Sequence, residues 1–174
     1  MNKLISAIAF AAERHRNQRR KDIEASPYIN HPIALANVLA NEALVEDDRV
    51  LIASILHDTI EDTETTETEL VRLFGQEISS IVLEVTDDKA LPKAERKRLQ
   101  IEHAATLSRR ARLVKLADKI CNLRDLISSP PSDWSVARQC EYFDWAKAVV
   151  DKLRGVNPAL EHLFDEAYKA RPLL

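Results

Sequence analysis

Glycine is almost missing from this 174-residue chain, with Gly75 and Gly155 its two instances. A phosphate-cradling loop of the Walker or dinucleotide type needs several residues without a Cβ close together, so both are excluded. Cysteine is as scarce. Cys121 and Cys140 are too few for a disulfide framework, and reduced thiols in a cytoplasmic protein are expected. No apolar run approaches the roughly 20 residues of a membrane span, and the stretch from Met1 to Arg20 carries too much charge for a secretory signal. Basic excess is lacking too: the net charge is −3, which suggests neither a nucleic-acid nor a membrane partner. What remains is 45% hydrophobic and 30% charged. That is too apolar for disorder and long enough for one domain around a single core.

Abundant Ala, Leu, Glu, Lys and Arg, with few β-branched clusters, favour helix throughout. Leu4, Ile5, Ile8, Ala11 and Ala12 recur at helical spacing and predict a first amphipathic helix ending near Gln18. Pro32 opens a second, Ile33 to Ala43. Asp47 and Asp48 cap a third, whose dense apolar run Val50 to Leu56 marks it as central. Thr66 and Glu69 stand at capping-box spacing, and Gly75 fits a C-terminal cap before a helix bearing Ile78, Ile81, Val82 and Val85. Pro92 opens a basic helix to about Ala104. A long helix through Leu113 to Ile127 must stop by Pro130 and Pro131. A further one, Val136 to Leu153, is closed by Gly155, and Asn157-Pro158 starts a last short one. Asp87 to Lys93 is the one linker-like stretch expected. The prediction is an all-α fold, a single helical domain of roughly eight to ten helices, without strand alternation or internal repeats.

The sharpest chemical feature is His57-Asp58-Thr59-Ile60-Glu61-Asp62, directly after the apolar run. Ionisable groups at the end of a buried helix are costly to desolvate unless compensated, and a divalent metal compensates them economically. Imidazole with carboxylate suits Mn²⁺, Fe²⁺ or Zn²⁺. Taken alone, the pair also fits a solvated helix end. His31 stands at a loop-to-helix corner before Pro32, where an ordinary helix-start histidine would also stand. Asp118 lies within a long apolar helix and shares a face with Asn122 and Leu126; a salt bridge to Lys115 or Arg124 is its plain alternative. Basic residues cluster at 14–21, 89–98 and 109–115, and the first cluster leads into the loop that ends at His31. Loops beside a metal are where phosphate groups are held. His15 reads as a packing or loop-anchoring residue, and His103 and His162 as surface. Cys121 and Cys140 read as small core residues, and Trp134, Phe143 and Trp145 as core anchors. Tyr142 fits solvent or a pocket.

The order His31, His57-Asp58, Asp118 resembles the H…HD…D signature of HD-domain metal-dependent phosphohydrolases. Longer strings narrow the resemblance: Gln-Arg-Arg-Lys-Asp at 18–22, Pro-Tyr-Ile-Asn-His-Pro at 27–32, Leu-His-Asp-Thr-Ile-Glu-Asp-Thr at 56–63, Glu-Val-Thr-Asp-Asp-Lys at 84–89 and Lys-Leu-Ala-Asp-Lys-Ile-Cys-Asn-Leu-Arg at 115–124. These are similar to the hydrolase half of RelA/SpoT enzymes, over residues 4–155 of a domain taken as 1–174, and most of all to stand-alone small alarmone hydrolases of the metazoan SpoT-homologue type. In 174 residues no synthetase domain is expected beside it. The resemblance implies an all-helical HD fold that binds one Mn²⁺ and hydrolyses the 3′-pyrophosphate of ppGpp, with pppGpp as a further substrate, to GDP (GTP) and pyrophosphate. An alternative within the superfamily is removal of the 2′-phosphate of NADPH. A helical sensor without catalysis is disfavoured by the retained acidic pair. The resemblance assigns His31, His57, Asp58 and Asp118 to the metal and Glu61 and Asp62 to the attacking water. It assigns Arg20, Lys21, Asn122, Lys93 and Tyr142 to the nucleotide. One departure is Ala25, where related loops commonly carry Gly; a requirement for positive φ there would force this loop to bend differently.

Overall fold

The computed structural model describes residues 2–173, so Met1 of the charged N-terminal stretch lies outside the described residues. They form ten α-helical segments: α1 (Asn2–Arg14), α2 (Asn30–Asn37), α3 (Asp48–Leu56), α4 (Thr59–Asp62), α5 (Glu67–Phe74), α6 (Gln76–Val85), α7 (Lys93–His103), α8 (Arg109–Ser128), α9 (Val136–Leu153) and α10 (Pro158–Tyr168). Of these, α4 is a single turn. A π-helical turn, Val38–Glu42, prolongs α2, and a 3₁₀ turn, Ala104–Thr106, follows α7. Among the described residues the one β-type pairing is an isolated bridge between Arg19 and Pro27. The all-α expectation holds. Among the described residues no helix is long and apolar enough to cross a membrane.

Local chemistry explains most boundaries. The Asp47 carboxylate accepts the Arg49 N–H at 3.0 Å and starts α3. Thr66 accepts from the Glu69 N–H at 3.2 Å to start α5, but the Glu69 side chain turns away to Arg14, so the box is half closed. Gly75, at φ +95°, ends α5 and begins α6 in a conformation that other residues adopt at a cost. Asn157 caps α10 through the Leu160 N–H at 3.0 Å, with Pro158 at its first position.

Two expectations need correction. The first helix stops at Arg14, not near Gln18. His15 closes the last turn on Ala11, but its ring then turns inward to Gln18 Oε1 at 2.7 Å and onto the Tyr28 ring. The non-helical stretch 15–29 is consequently the longest irregular segment, longer than Asp87 to Lys93. The second helix begins at Asn30, two residues before Pro32. Proline is accommodated there because the first-turn N–H groups have no intrahelical partner.

At the centre lies α3, every residue from Val50 to Leu56 buried, packed by α1, α2, α6 and α8. Burying each large apolar side chain there contributes about 1.5–3 kcal/mol. The other spine is α8, which also packs on α9 and α10. Because α3 and α8 touch within the core, the C-terminal end of α3 and the middle of α8 face each other. That juxtaposition positions the site.

Candidate active site

Three elements converge on one buried point: the start of α2, the end of α3 and the middle of α8. His31, His57 and Asp118 each present a donor atom within 4.8 Å of the other two. His31 and His57 are both 4% exposed, burial that imidazole tolerates when its nitrogens are engaged. His57 Nδ1 donates to the Ser54 carbonyl at 2.8 Å, which assigns the proton to Nδ1 and leaves a lone pair on Nε2. That lone pair faces Asp58 Oδ2 at 2.9 Å and Asp118 Oδ1 at 3.9 Å. Two acceptors cannot face each other in a dry interior without a cation between them. Protonation is one answer: burial opposes it, but Asp58 and then Asp118 override burial and raise the imidazole to about 9. A divalent metal is the other, and the converging donors fit one: the imidazoles of His31 and His57 and the Asp118 carboxylate, with His57 Nε2 buried without a hydrogen-bond partner.

The fourth predicted ligand, Asp58, lies outside that three-donor group, its Oδ2 2.9 Å from His57 Nε2 and accepting from the Tyr28 hydroxyl. Asp118 is shared: Oδ1 accepts from Asn122 Nδ2 at 2.6 Å and lies 3.2 Å from His31 Nε2, and Oδ2 takes Lys119 Nζ at 3.0 Å. Burial would raise the Asp118 carboxyl; Lys119 and His31 instead hold it well below the usual range. The salt-bridge alternatives for Asp118 fail on geometry. Arg124 is forked onto Glu42 at 2.8 Å and 2.8 Å, and Lys115 donates to the Val85 carbonyl.

Around this point lies an inner chamber of about 200 Å³, walled by Glu61, Asp87, Lys115, Lys119, Tyr142 and Trp145 among others. It continues into an outer cleft of about 700 Å³ through Arg20, Tyr28, His31, Asn122 and Tyr142, which line both. Two other depressions, about 740 and 720 Å³, are no smaller, but neither is lined by a buried charged side chain. Chemistry, not size, singles out the cleft.

Glu61 and Asp62 leave α4 toward different parts of it. Glu61 lines the inner chamber and accepts the Asp87 backbone N–H at 3.0 Å. Burial raises its carboxyl above the ordinary value, and Asp58, Asp87 and Asp62 add to this against the Asp87 N–H. Asp62 lines the outer cleft, held by Gln18 Nε2 at 2.7 Å and by Lys89. Arg20 reaches the junction of the two spaces, paired with Asp125, 3.4 Å from Asn122 Oδ1 and over the Tyr28 ring. Burial opposes its charge, but Asp125 keeps the guanidinium above its ordinary value. Lys21 lines the outer cleft. Lys93 is not on either wall: it is exposed at the start of α7, near Arg138, Lys21 and Arg96. Tyr142 faces the cavities, and burial pushes its phenol up to about 12.

Phe143 is a core anchor, as expected, but Trp134 and Trp145 are only half-buried. Trp134 lines the outer cleft 5.6 Å from the Tyr142 ring, and Trp145 lines the inner chamber beneath Lys119 Nζ at 4.4 Å. Sequence reasoning also passed over Tyr28, Asp87, Lys119 and Asp125, and weighed Lys115 only as a salt-bridge partner of Asp118. Tyr28 had a signal, three residues before His31 on the same corner. Lys115 and Lys119 bracket Asp118 on an apolar helix, a pattern that reads as ion pairing; Lys119 does pair with Asp118, whereas Lys115 turns to the Val85 carbonyl. The loop with Ala25 does not bend away from the left-handed region: Ala25 adopts φ +49°.

A buried His/Asp centre where three helices meet, under a basic cleft, defines an HD-type helical hydrolase. The chain belongs to the HD domain family, whose profile matches residues 7–143. More narrowly, it groups with the metazoan SpoT homologues. It is similar to the guanosine-3′,5′-bis(diphosphate) 3′-pyrophosphohydrolase MESH1 of Danio rerio, 53% identical over 97% of this chain and 93% of that protein. The Homo sapiens protein of that name is 54% identical, over 98% of this chain and 95% of its own. A solved metazoan ortholog of SpoT that hydrolyzes ppGpp superimposes with a TM-score of 0.95 at 49% identity, covering 100% of this chain and 98% of that one.

Proposed function

We propose that this protein is a metal-dependent 3′-pyrophosphohydrolase of ppGpp, acting also on pppGpp, that releases pyrophosphate and GDP (GTP) in the cytoplasm. The observation that carries the reading is the acidic pair Glu61 and Asp62, set between a His/Asp metal centre and a cleft edged by Arg20, Lys21 and Lys89. The relatives named above are hydrolases of the same compound. The whole span 1–174 is assigned to one hydrolase domain.

His31, His57, Asp58 and Asp118 would hold a single Mn²⁺. When bound, such an ion supplies positive charge against the phosphoryl group and acidifies water at neutral pH. The remaining chemistry belongs to the chain. Arg20 offers a planar fork to the phosphates, which Lys does not reproduce, and Lys21 and Lys89 add charge along the outer cleft. Asn122 bridges Asp118 and the Arg20 side of the chamber. Tyr142 and Trp134 supply aromatic faces for the nucleoside. Glu61, its proton affinity raised by burial, orients water and accepts a proton from it. Asp62, gripped by Gln18 and Lys89, stays beside it. Water adds to the phosphorus that carries the ribose O3′, the P–O3′ bond breaks, and O3′ departs with a proton.

The test is product identification with purified, Mn²⁺-loaded protein and a nucleotide panel that includes NADPH. Pyrophosphate is expected as the first product from ppGpp, with turnover abolished by chelation and restored by Mn²⁺. Orthophosphate from NADPH at an equal or greater kcat/KM, or full turnover after exhaustive chelation, would overturn the reading.

A further inference from the structure

The string Glu84-Val-Thr-Asp-Asp-Lys89 enters the chemistry above only through Lys89, yet both carboxylates of the acidic pair are gripped from it. The Asp87 N–H donates to Glu61 Oε2 at 3.0 Å, and Lys89 Nζ reaches Asp62 Oδ1. Just beyond, Arg96 Nη1 lies 3.6 Å from Glu61 Oε1. A backbone N–H can hold a carboxylate in one direction only if its own peptide is fixed. Two side chains fix this one. Gln100 Nε2 donates to Asp87 Oδ2 at 2.6 Å, from α7. From α8, Lys115 Nζ lies 4.0 Å from Asp87 Oδ1 and donates to the Val85 carbonyl at 3.0 Å, at the end of α6.

Lys115 is 7% exposed. Burying an ammonium costs several kcal/mol unless it is compensated, and its compensation here is the negative end of α6 together with Asp87. Neither Lys115 nor Gln100 reaches the outer cleft. Both line, with Asp87, the wall between the inner chamber and a separate cavity of about 230 Å³ behind it. They brace the far side of Glu61.

We propose that Asp87 is a positioning residue: its carboxylate, set between Gln100 and Lys115, aims the backbone N–H that orients Glu61. The proposal rests on the reading of Glu61 given above. A misplacement of about 1 Å at a reacting group costs on the order of 10²-fold in rate. Asp87→Ala should therefore lower kcat on ppGpp by about 10- to 100-fold, with KM within about twofold and bound Mn²⁺ unchanged.

The deciding measurement is a double-mutant cycle with Glu61→Gln, because a residue that acts through Glu61 costs nothing further once Glu61 cannot work. Asp87→Ala is expected to change kcat by less than about twofold in the Glu61→Gln background. Gln100→Leu, at a half-buried position, loosens the same brace and should give the same split with a smaller loss; it decides the matter if Asp87→Ala does not fold. Full additivity in the cycle, or a raised KM at unchanged kcat, would overturn the role of Asp87 and leave that of Glu61 standing. A Glu61→Gln enzyme with unimpaired kcat would remove the Glu61 reading, and the brace with it.

Discussion

Replacing Ala25 by glycine should stabilise the protein. Ala25 has φ +49° in the loop that carries Arg20 and Lys21 toward His31. An L-residue in that region places its Cβ against the following carbonyl, at about 1–2 kcal/mol. The turn holds it there. The Ala25 N–H donates to the Asp22 carbonyl at 3.1 Å, the Ser26 N–H to the Asp22 carboxylate at 2.9 Å, and the Arg20 N–H to the Ser26 carbonyl at 2.9 Å. Ala25 is exposed, so its methyl contributes no packing that glycine would lose. Glycine returns part of the gain through a freer unfolded chain, about 0.4–1 kcal/mol. The net expectation is about 0.5–1 kcal/mol of stabilisation, which for a domain of this size raises Tm by about 1–4 °C. Urea denaturation followed by far-UV circular dichroism should show a higher midpoint at unchanged slope, with kcat on ppGpp within about twofold of the parent. Ala11→Gly is the control. Ala11 is fully buried inside α1, and glycine there should cost about 1 kcal/mol or more. A neutral or destabilising Ala25→Gly alongside a destabilising Ala11→Gly would refute left-handed strain at this position.

Three further outcomes are expected. His57→Ala and Asp118→Ala should each lose the metal, measured as bound Mn²⁺ after gel filtration, and activity with it; stoichiometric Mn²⁺ in either variant would contradict the assignment. Asp62→Asn should keep nucleotide affinity while kcat falls by about 10²–10⁴-fold, the usual value of general acid–base assistance; a rise in KM alone would make Asp62 a binding residue. Asp47 should make the fold acid-sensitive. Burial opposes its ionisation, but hydrogen bonds from Arg49 and Arg110 hold the carboxyl at about 2, below its unfolded value, so its contribution is present above about pH 4 and is lost as pH falls toward 2. Asp47→Asn, which keeps a cap but not the charge, should flatten stability across that window in denaturation curves, and an unchanged profile would show that other carboxylates govern it.

Helix existence and caps were legible because they are local. Asp47, Thr66, Gly75 and Asn157-Pro158 act on the peptide units beside them, and each does in the structure what its residue type dictates. The end of α1 was not legible, since Ala11 to Gln18 offers no breaker. What stops that helix is the His15 ring turning onto Tyr28, thirteen residues away, and that is a tertiary fact. Trp134 and Trp145 were misread for a related reason: an aromatic residue on an apolar helix looks alike whether it fills a core or walls a cavity.

The site divides along the same line. His57 and Asp118 were legible because ionisable residues on apolar stretches need a reason to be there, His31 joined them through the family resemblance, and the structure brings their donor atoms together. Asp87, Gln100 and Lys115 gave no such signal. In sequence, Lys115 is one of several cations on α8, and Gln100 is one polar residue on a helix with no fully buried position. Their meaning comes from the packing of three helices: α6 ends where α7 and α8 can both reach the Asp87 carboxylate, and the Asp87 N–H is the one aimed at Glu61. Groups that would touch a metal or a phosphate are chosen by chemistry, so their identities can be read in sequence. A group that only aims another is chosen by geometry, and a carboxylate, an amide or an ammonium serves as long as it stands at the right distance. Such residues become visible when the distances do.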